Sequence, residues 1–432
     1  VEYLPIGYYE NREKKMINIK HTVKEKFLKK EKITDSSEKN NLIFEKTGNW
    51  SIPDRMMGLW QHRKGLFGRR TILILIVLGL LLAFLSYSYF HVGNTYSSVS
   101  SSERNDISGT TYVEYGKNLL KFSPDGASCV NYSGDILWST TFSMQSPIVD
   151  ICESAVVVAD QKGTQIYIFN ETGLTGKFQT TLPIEKVKVA GQGVVSAVLE
   201  DGDTTWINFY DKDGNEIAKN RTTISESGYP LDIALSPDGL KLMVSYLCAT
   251  EGELNTKVDF YSFDTVGQAE INNLVNSVAY KNEVVPKVIF IDDGISVAFR
   301  SNGFSIFKGK QIPEEKVKIE FEEEILSIFY DNSYLGFAYE SDNPDHKYKI
   351  RIYDTNGKKI LDKYIDYNYK EIKISSNQII LFNESEFVSY SINGHLKFAG
   401  NYHKPVIDVF KVNGLRKYFV LTQDSTDLIR LK

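Results

Sequence analysis

The sequence predicts an all-β fold: a β-propeller of eight, or alternatively seven, four-stranded blades, preceded by one transmembrane helix and a disordered cytoplasmic tail. Three observations carry this reading. One apolar run, 71–90, has no charged residue. From about Thr111 the chain changes to short β-rich segments separated by Gly, Asp and Asn. An aromatic-to-glycine turn signature recurs along those segments. The 432 residues have room for two or three ordinary domains or for one large repeat domain with an appended segment. An aromatic content of 12% with only 11 prolines favours strands, where aromatic rings cover a pleated surface.

Residues 71–90, TILILIVLGLLLAFLSYSYF, hold thirteen Leu, Ile, Val or Phe, and the charge-free stretch continues through Ser102. Twenty helical residues at about 1.5 Å each span the roughly 30 Å hydrocarbon layer. The large apolar side chains favour insertion by about 4 to 8 kcal/mol, with no ionised group opposing them. Arg55, Arg63, Lys64, Arg69 and Arg70 precede the run, and the first basic residue after it is Arg104. The positive-inside rule therefore places the amino terminus in the cytoplasm, with these five residues as basic anchors at the membrane interface. Tyr87, Tyr89 and Phe90 suit the outer aromatic belt. A cleaved signal peptide is the rival reading, with Ser86-Tyr87-Ser88 as a weak cleavage site, against which stand a 70-residue leader and a full-length apolar run.

Residues 1–70 are read as a basic cytoplasmic tail and juxtamembrane segment, 71–92 as the transmembrane helix, 93–110 as a Ser-rich linker and 111–432 as the propeller. The chain begins with Val, which points to a non-standard start or to one assigned too far upstream, with Met16 as the later candidate.

Seven hairpin signatures punctuate the propeller region: Tyr132 with Gly134, Phe169 with Gly173, Tyr210 with Gly214, Phe263 with Gly267, Phe307 with Gly309, Tyr353 with Gly357 and Tyr390 with Gly394. The aromatic positions lie 37 to 53 residues apart, and five of the seven pairs share a spacing of four. Gly suits these corners because a tight hairpin demands positive φ. Two further strand candidates precede each hairpin, as in Ile148 to Ile151 with Ala155 to Ala159, so each unit of about 40 residues holds four strands, the content of a propeller blade. The last unit supplies three strands, Val406 to Phe410, Tyr418 to Leu421 and Leu428 to Leu431, and lacks its outer one. Tyr112 to Tyr115 either closes the ring as that missing strand or is the inner strand of the first blade.

The region from about 110 onward resembles quinoprotein-like and WD-like propellers. More closely, it resembles an uncharacterised family of membrane-anchored extracytoplasmic propeller proteins from anaerobic Gram-positive bacteria. The resemblance rests on LPIEKVKV at 182–189, GVVSAVLEDGD at 193–203 and YPLDIALSPDGLKLMVSYL at 229–247. It implies the architecture and brings no catalytic residues with it.

No residue constellation commits the chain to a chemistry. Ser-Pro-Asp-Gly at 123–126 and 236–239 is turn chemistry. Asp211-Lys212-Asp213-Gly214-Asn215-Glu216 falls short of a calcium loop. Glu200 to Trp206 only faintly matches an aspartate box, because Asp203 stands where that motif needs Gly. Trp138 and Trp206 lack the companions a quinone cofactor would need. Cys129, Cys152 and Cys248 read as unpaired core residues, and His91, His346, His395 and His403 as surface or loop residues. The acidic run Glu320 to Glu324 reads as a solvated face. Neither a catalytic site, a metal nor a cofactor is therefore expected.

Charge is divided: 16 Lys/Arg against 9 Asp/Glu in 1–70, and 34 against 46 in 71–432. That is +7 followed by −12, which disfavours nucleic acid and anionic wall polymers as partners of the propeller. The expected function is a non-catalytic protein-binding or scaffold module of the cell envelope, held at the plasma membrane by lipid contact through one helix, with envelope or secreted proteins on its loops. The alternative is a membrane-tethered hydrolase or redox enzyme with an acidic site in the central channel, for which Asp150, Asp232, Asp292 and Asp408 are the candidates.

Overall fold

The structure, a computed structural model, describes residues 69–104, 106–107, 109–250 and 253–432. The described residues fall into two units, 69–79 and from 80 onward. Residues Arg69–Phe90 form a 22-residue helix whose described side chains, 72–87 and 90, are exposed and apolar except for Gly79 and Ser86. Among the described residues no helix is long and apolar enough to cross a membrane.

The described residues after the helix form eight four-stranded antiparallel sheets, the blades of a propeller. Blades 1 to 7 occupy 111–141, 147–179, 184–223, 229–280, 287–320, 325–365 and 371–401, each with its strands in chain order. The burial of each strand follows from its place in the blade. The second strand of blade 2, Ala155–Asp160, is buried at every residue because neighbouring blades cover both its faces. Its sequence AVVVAD is accordingly apolar until its last residue. The outer strand of blade 5, Glu314–Glu320, alternates exposed and half-buried residues, as a solvated edge does. Between blades 2 and 3, Val157, Ile168, Val187 and Ala197 belong to one buried cluster.

All seven hairpin signatures fall between the third and fourth strands of blades 1 to 7. Six of the seven glycines take positive φ; the tight corner expected at Gly267 is corrected, because that residue starts the short 3-10 turn Gly267–Ala269 in a longer connection from Ser262 to Leu274. Positive φ is only half the reason for the other six. Gly214 (φ 84°) and Gly357 (φ 78°) lie so close to the preceding blade that a Cβ would stand 2.6 Å from Phe178 Cβ and from Val317 Cγ1 respectively. Phe178 and Val317 belong to the outer strands Gly173–Gln179 and Glu314–Glu320. The corner therefore also sets how closely one blade follows another.

Blade 8 explains why eight blades leave seven signatures. It combines Val406–Lys411, Lys417–Thr422 and Ser425–Leu431 with an outer strand from the other end of the ring, Tyr96–Glu103. Of the two readings of Tyr112 to Tyr115 the second holds: it lies in Thr111–Tyr115, the first strand of blade 1, and does not close the ring. The linker expectation is corrected. The Ser-rich segment 93–110 is no plain linker, since eight of its residues, YSSVSSSE, form a strand and all but Val99 pair with the last strand, from Tyr96↔Leu431 to Glu103↔Ser425. Serine is a weak strand former, so the pairing is imposed by the waiting edge of Ser425–Leu431 rather than by local preference.

Candidate functional site: the channel and its mouth

The first strands of the blades converge on the ring axis, where those of several neighbouring blades touch. Each runs from the rim that carries the blade-to-blade connections to the rim that carries the first and last turns of each blade. Four of them hold one extra residue close to their start. Glu185, Leu231, Leu326 and Ile407 are each skipped in the pairing with the second strand. A bulge of this kind turns a side chain out of the pleat. Leu326 and Ile407 are 47% and 48% exposed, although they stand in the innermost strands of the ring. The mouth of the channel on the connection rim is therefore partly apolar. Beside Ile407 a cavity of about 270 Å³ opens between blades 7, 8 and 1, lined by Tyr112, Glu371, Ile372, Lys373, Asp408 and Leu421.

Deeper in, the charged side chains pair from blade to blade. Asp150 accepts from Lys188 Nζ at 2.7 Å and from the Val189 amide at 2.9 Å. Asp232 lies 3.1 Å from Lys287 Nζ and accepts from the Val288 amide at 3.1 Å. Lys373 donates to Asp408, and its ammonium also stands 3.7 Å from the centre of the Phe410 ring. Blade 1 is tied in by Glu114, which accepts from Ser375 Oγ at 2.6 Å, while Ser375 Oγ accepts from the Lys411 amide at 3.0 Å.

Burial opposes these charges to different degrees. For Lys188 burial is outweighed by the neighbouring Asp150, and the ammonium is held above its ordinary range. Burial pushes the Glu114 and Asp408 carboxyls up, against Ser375 and Lys373 respectively. Burial lowers Lys411 to about 8, and its ammonium donates to the Gly414 carbonyl at 3.0 Å.

The four channel carboxylates named from sequence thus divide. Asp150, Asp232 and Asp408 lie on first strands and each is paired with a lysine of an adjacent blade. Asp292 ends its strand and accepts from the Gly294 amide at 2.7 Å in a turn. A carboxylate neutralised by an ammonium and a backbone amide is a poor general base. Among the described residues no group of three or more His, Cys, Asp or Glu is placed to hold a metal ion.

The other candidates resolve into structure. Asp211 Oδ1 accepts from the Asp213 and Asn215 amides, both at 2.9 Å, which is turn chemistry. Asp238 binds Lys241 Nζ at 2.7 Å within its turn. Trp138 stacks on Phe169 at 4.9 Å between blades 1 and 2. All three cysteines are free. Glu323 of the acidic run makes a two-point contact with the Arg351 guanidinium, at 2.9 and 2.5 Å. Arg55, Arg63 and Lys64 lie outside the described residues, and Arg69 and Arg70 fall in the first turn of the helix. The bulges escaped the sequence reading, because an inserted residue shows only when both strands of a pair are in register.

Fold and channel together define an eight-bladed β-propeller closed by its amino-terminal strand. Residues 90–431 match the Family of unknown function (DUF5711), and the chain belongs to that family. No curated protein matches it in sequence. Among solved structures it is similar to BamB from Moraxella catarrhalis, at 10% identity over 78% of this chain and 100% of that one, with a TM-score of 0.49. A eukaryotic initiation factor matches at 14% identity over 78% and 88% of the two chains, TM-score 0.49. The Pan2 WD40 domain of Neurospora crassa matches at 10% identity over 66% and 87%, TM-score 0.38. These are likenesses in the arrangement of blades and carry nothing about function.

Proposed function

We propose that this chain is an extracytoplasmic scaffold, held at the plasma membrane by the helix at 71–92 with its amino terminus inside, and that it docks proteins at the mouth of its channel. One observation carries the reading: the two rims of the ring differ. The chain joins the ring on the turn-bearing rim, where Tyr96 pairs with Leu431. The exposed apolar side chains Leu326 and Ile407 lie on the opposite rim. A mouth on the rim opposite the one where the chain enters the ring is free to meet other proteins, and paired channel carboxylates favour binding over catalysis. The charge-free run 71–90 behind five basic residues supports the anchor and its direction.

Two experiments test this. Protease added to intact spheroplasts is expected to remove the region after Ser97 and spare the tail; protection of that region overturns the topology. Photo-crosslinkers placed at Leu326 and Ile407 in the native envelope are expected to capture defined proteins, whereas one at Leu137, on the outer strand of blade 1, does not. Equal capture from all three positions overturns the mouth as the docking surface. A small molecule retained in the channel of the purified chain and turned over there favours the enzyme instead.

A further inference from the structure

One rim of blade 8 carries a local charge opposite to the net charge of the region after the anchor. At its turn-bearing rim stand Leu415 and Arg416, in the turn between Val406–Lys411 and Lys417–Thr422, followed by Lys417, with Arg430 and Lys432 at the chain end. Lys417 and Arg430 are direct cross-strand partners. Two like charges in that relation repel, a cost that an external anion would remove. Among the described residues, none of Arg416, Lys417, Arg430 and Lys432 forms an ion pair. Leu415 is 60% exposed at the tip, between these cations.

The patch is continuous with the end of the helix. The Leu431 amide donates to the Arg416 carbonyl, and the Lys432 amide to the Thr95 carbonyl, both at 2.9 Å, so the chain joins the ring in the middle of the patch. The Arg416 guanidinium lies 5.7 Å from the centre of the Tyr87 ring. Phe84 and Tyr87 share a cavity of about 480 Å³ with Arg416, Lys417, Arg430 and Leu431. An exposed leucine ringed by cations, beside aromatic residues at the end of an apolar helix, is the composition of a membrane–water interface.

We infer that the turn-bearing rim of blade 8 rests on the membrane and binds anionic phospholipid headgroups, with Arg416, Lys417 and Arg430 meeting the phosphates and Leu415 entering the apolar layer. This rests on the anchor proposed above. It goes beyond that reading by fixing which side of the ring lies against the bilayer.

The test uses the full chain in nanodiscs of phosphatidylcholine, with or without phosphatidylglycerol, carrying a photo-crosslinking phenylalanine at position 415, with adducts identified by mass. Phosphatidylglycerol adducts enriched over phosphatidylcholine are expected. Arg416→Glu combined with Lys417→Glu is expected to cut them roughly tenfold, on the scale of one basic contact per charge at an anionic surface. Hydrogen exchange of 96–103 serves as the folding control, and Lys432→Glu, a single charge reversal outside the Lys417–Arg430 pair, gives a milder loss in the same direction. Adducts that ignore lipid charge, or no lipid adducts at all, overturn the inference while leaving the anchor intact. A protein or wall-polymer adduct at 415 in the native envelope also overturns it. If the chain is not retained in nanodiscs, the anchor itself fails and the docking fails with it.

Discussion

Blades 1 to 7 and blade 8 solve the same problem by different means. In the first seven, the outer strand follows the third in sequence, through a short turn in all but blade 4, where residues 263–273 intervene, so its register is set by a local connection. In blade 8 the outer strand Tyr96–Glu103 comes from the far end of the ring, and no turn positions it. Side chains take over. Asp427 accepts from Tyr402 Oη at 2.6 Å, from Lys404 Nζ at 3.0 Å and from Ser101 of the closing strand. Just past that strand, Asp106 accepts from Arg104 Nε at 2.7 Å and from Tyr112 Oη at 2.8 Å and pairs with Lys121, which binds the strand's exit to blade 1. Tyr96 stacks on Tyr402 at 4.9 Å at the other end. Where a covalent turn is missing, polar contacts at one end of the strand and an aromatic stack at the other fix its register.

The largest effect is expected at Asp427. Asp427→Ala leaves the buried Tyr402 hydroxyl without its acceptor and takes the carboxylate from Lys404, which keeps only Ser425 Oγ at 2.7 Å, a loss of about 3 kcal/mol. Amide exchange by mass spectrometry should show residues 96–103 losing protection while the outer strand of blade 5, Glu314–Glu320, keeps its own. Equal loss in both strands would mean that closure is not a separable element. Asp106→Ala is expected to cost about 2 kcal/mol, because Arg104 loses its carboxylate but still donates to the Thr422 carbonyl at 2.5 Å. Its exchange signature should be confined to the Glu103 end of the closing strand.

This comparison also explains what the sequence disclosed. Blades 1 to 7 were legible because each carries a local signal, an aromatic residue and a corner glycine between strands whose partners are near in sequence. The closing strand was not. Its five serines suit a linker, and its partner lies more than 300 residues away in pairs such as Ser101 with Asp427. The candidate site divides in the same way. Asp150, Asp232 and Asp408 were placed correctly on first strands, since strand position follows from apolar runs. Their lysine partners come from neighbouring blades, 38 residues away for Lys188 and 35 for Lys373, and nothing local announces such pairs.

Acid separates the closing seam from the channel. Burial pushes the Asp106 and Asp427 carboxyls up, but hydrogen bonds outweigh it, from Lys121, Arg104 and Tyr112 to the first and from Ser101, Tyr402 and Lys404 to the second; both are held below the ordinary range. A depressed carboxyl stabilises the fold fully above its unfolded value, and that contribution is lost as pH falls through the folded value. Glu114 and Asp408 are shifted the other way, so they take up protons first and are relieved of part of their burial cost. Exchange corrected for intrinsic rates should therefore show the channel strands Glu371–Ser375 and Val406–Lys411 holding or gaining protection as pH falls from neutral. The closing strand should be released only below about pH 4. Release of both together would show that the two sets of carboxyls are not distinct.

The smallest effect tests the ordinary blades. Gly357 and Gly202 both sit at positive φ, 78° and 61°, but only Gly357 faces a neighbouring blade, with a Cβ placed 2.6 Å from Val317 Cγ1, whereas one on Gly202 meets nothing within 4 Å. Gly202→Ala carries the backbone strain alone, about 1 kcal/mol. Gly357→Ala carries that strain and must also push Val317, a half-buried side chain of the adjacent outer strand. It should therefore cost about 1 kcal/mol more, on the scale of adding a methyl group to a packed contact. Urea midpoints for the two variants measure the difference. If they coincide, the recurring glycine is explained by turn geometry alone, and blade spacing is set by the buried strands. If Gly357→Ala is the worse of the two, the hairpin that fixes an outer strand within its blade also fixes the distance to the blade before it, a second duty that the closing strand of blade 8, having no hairpin, does not share.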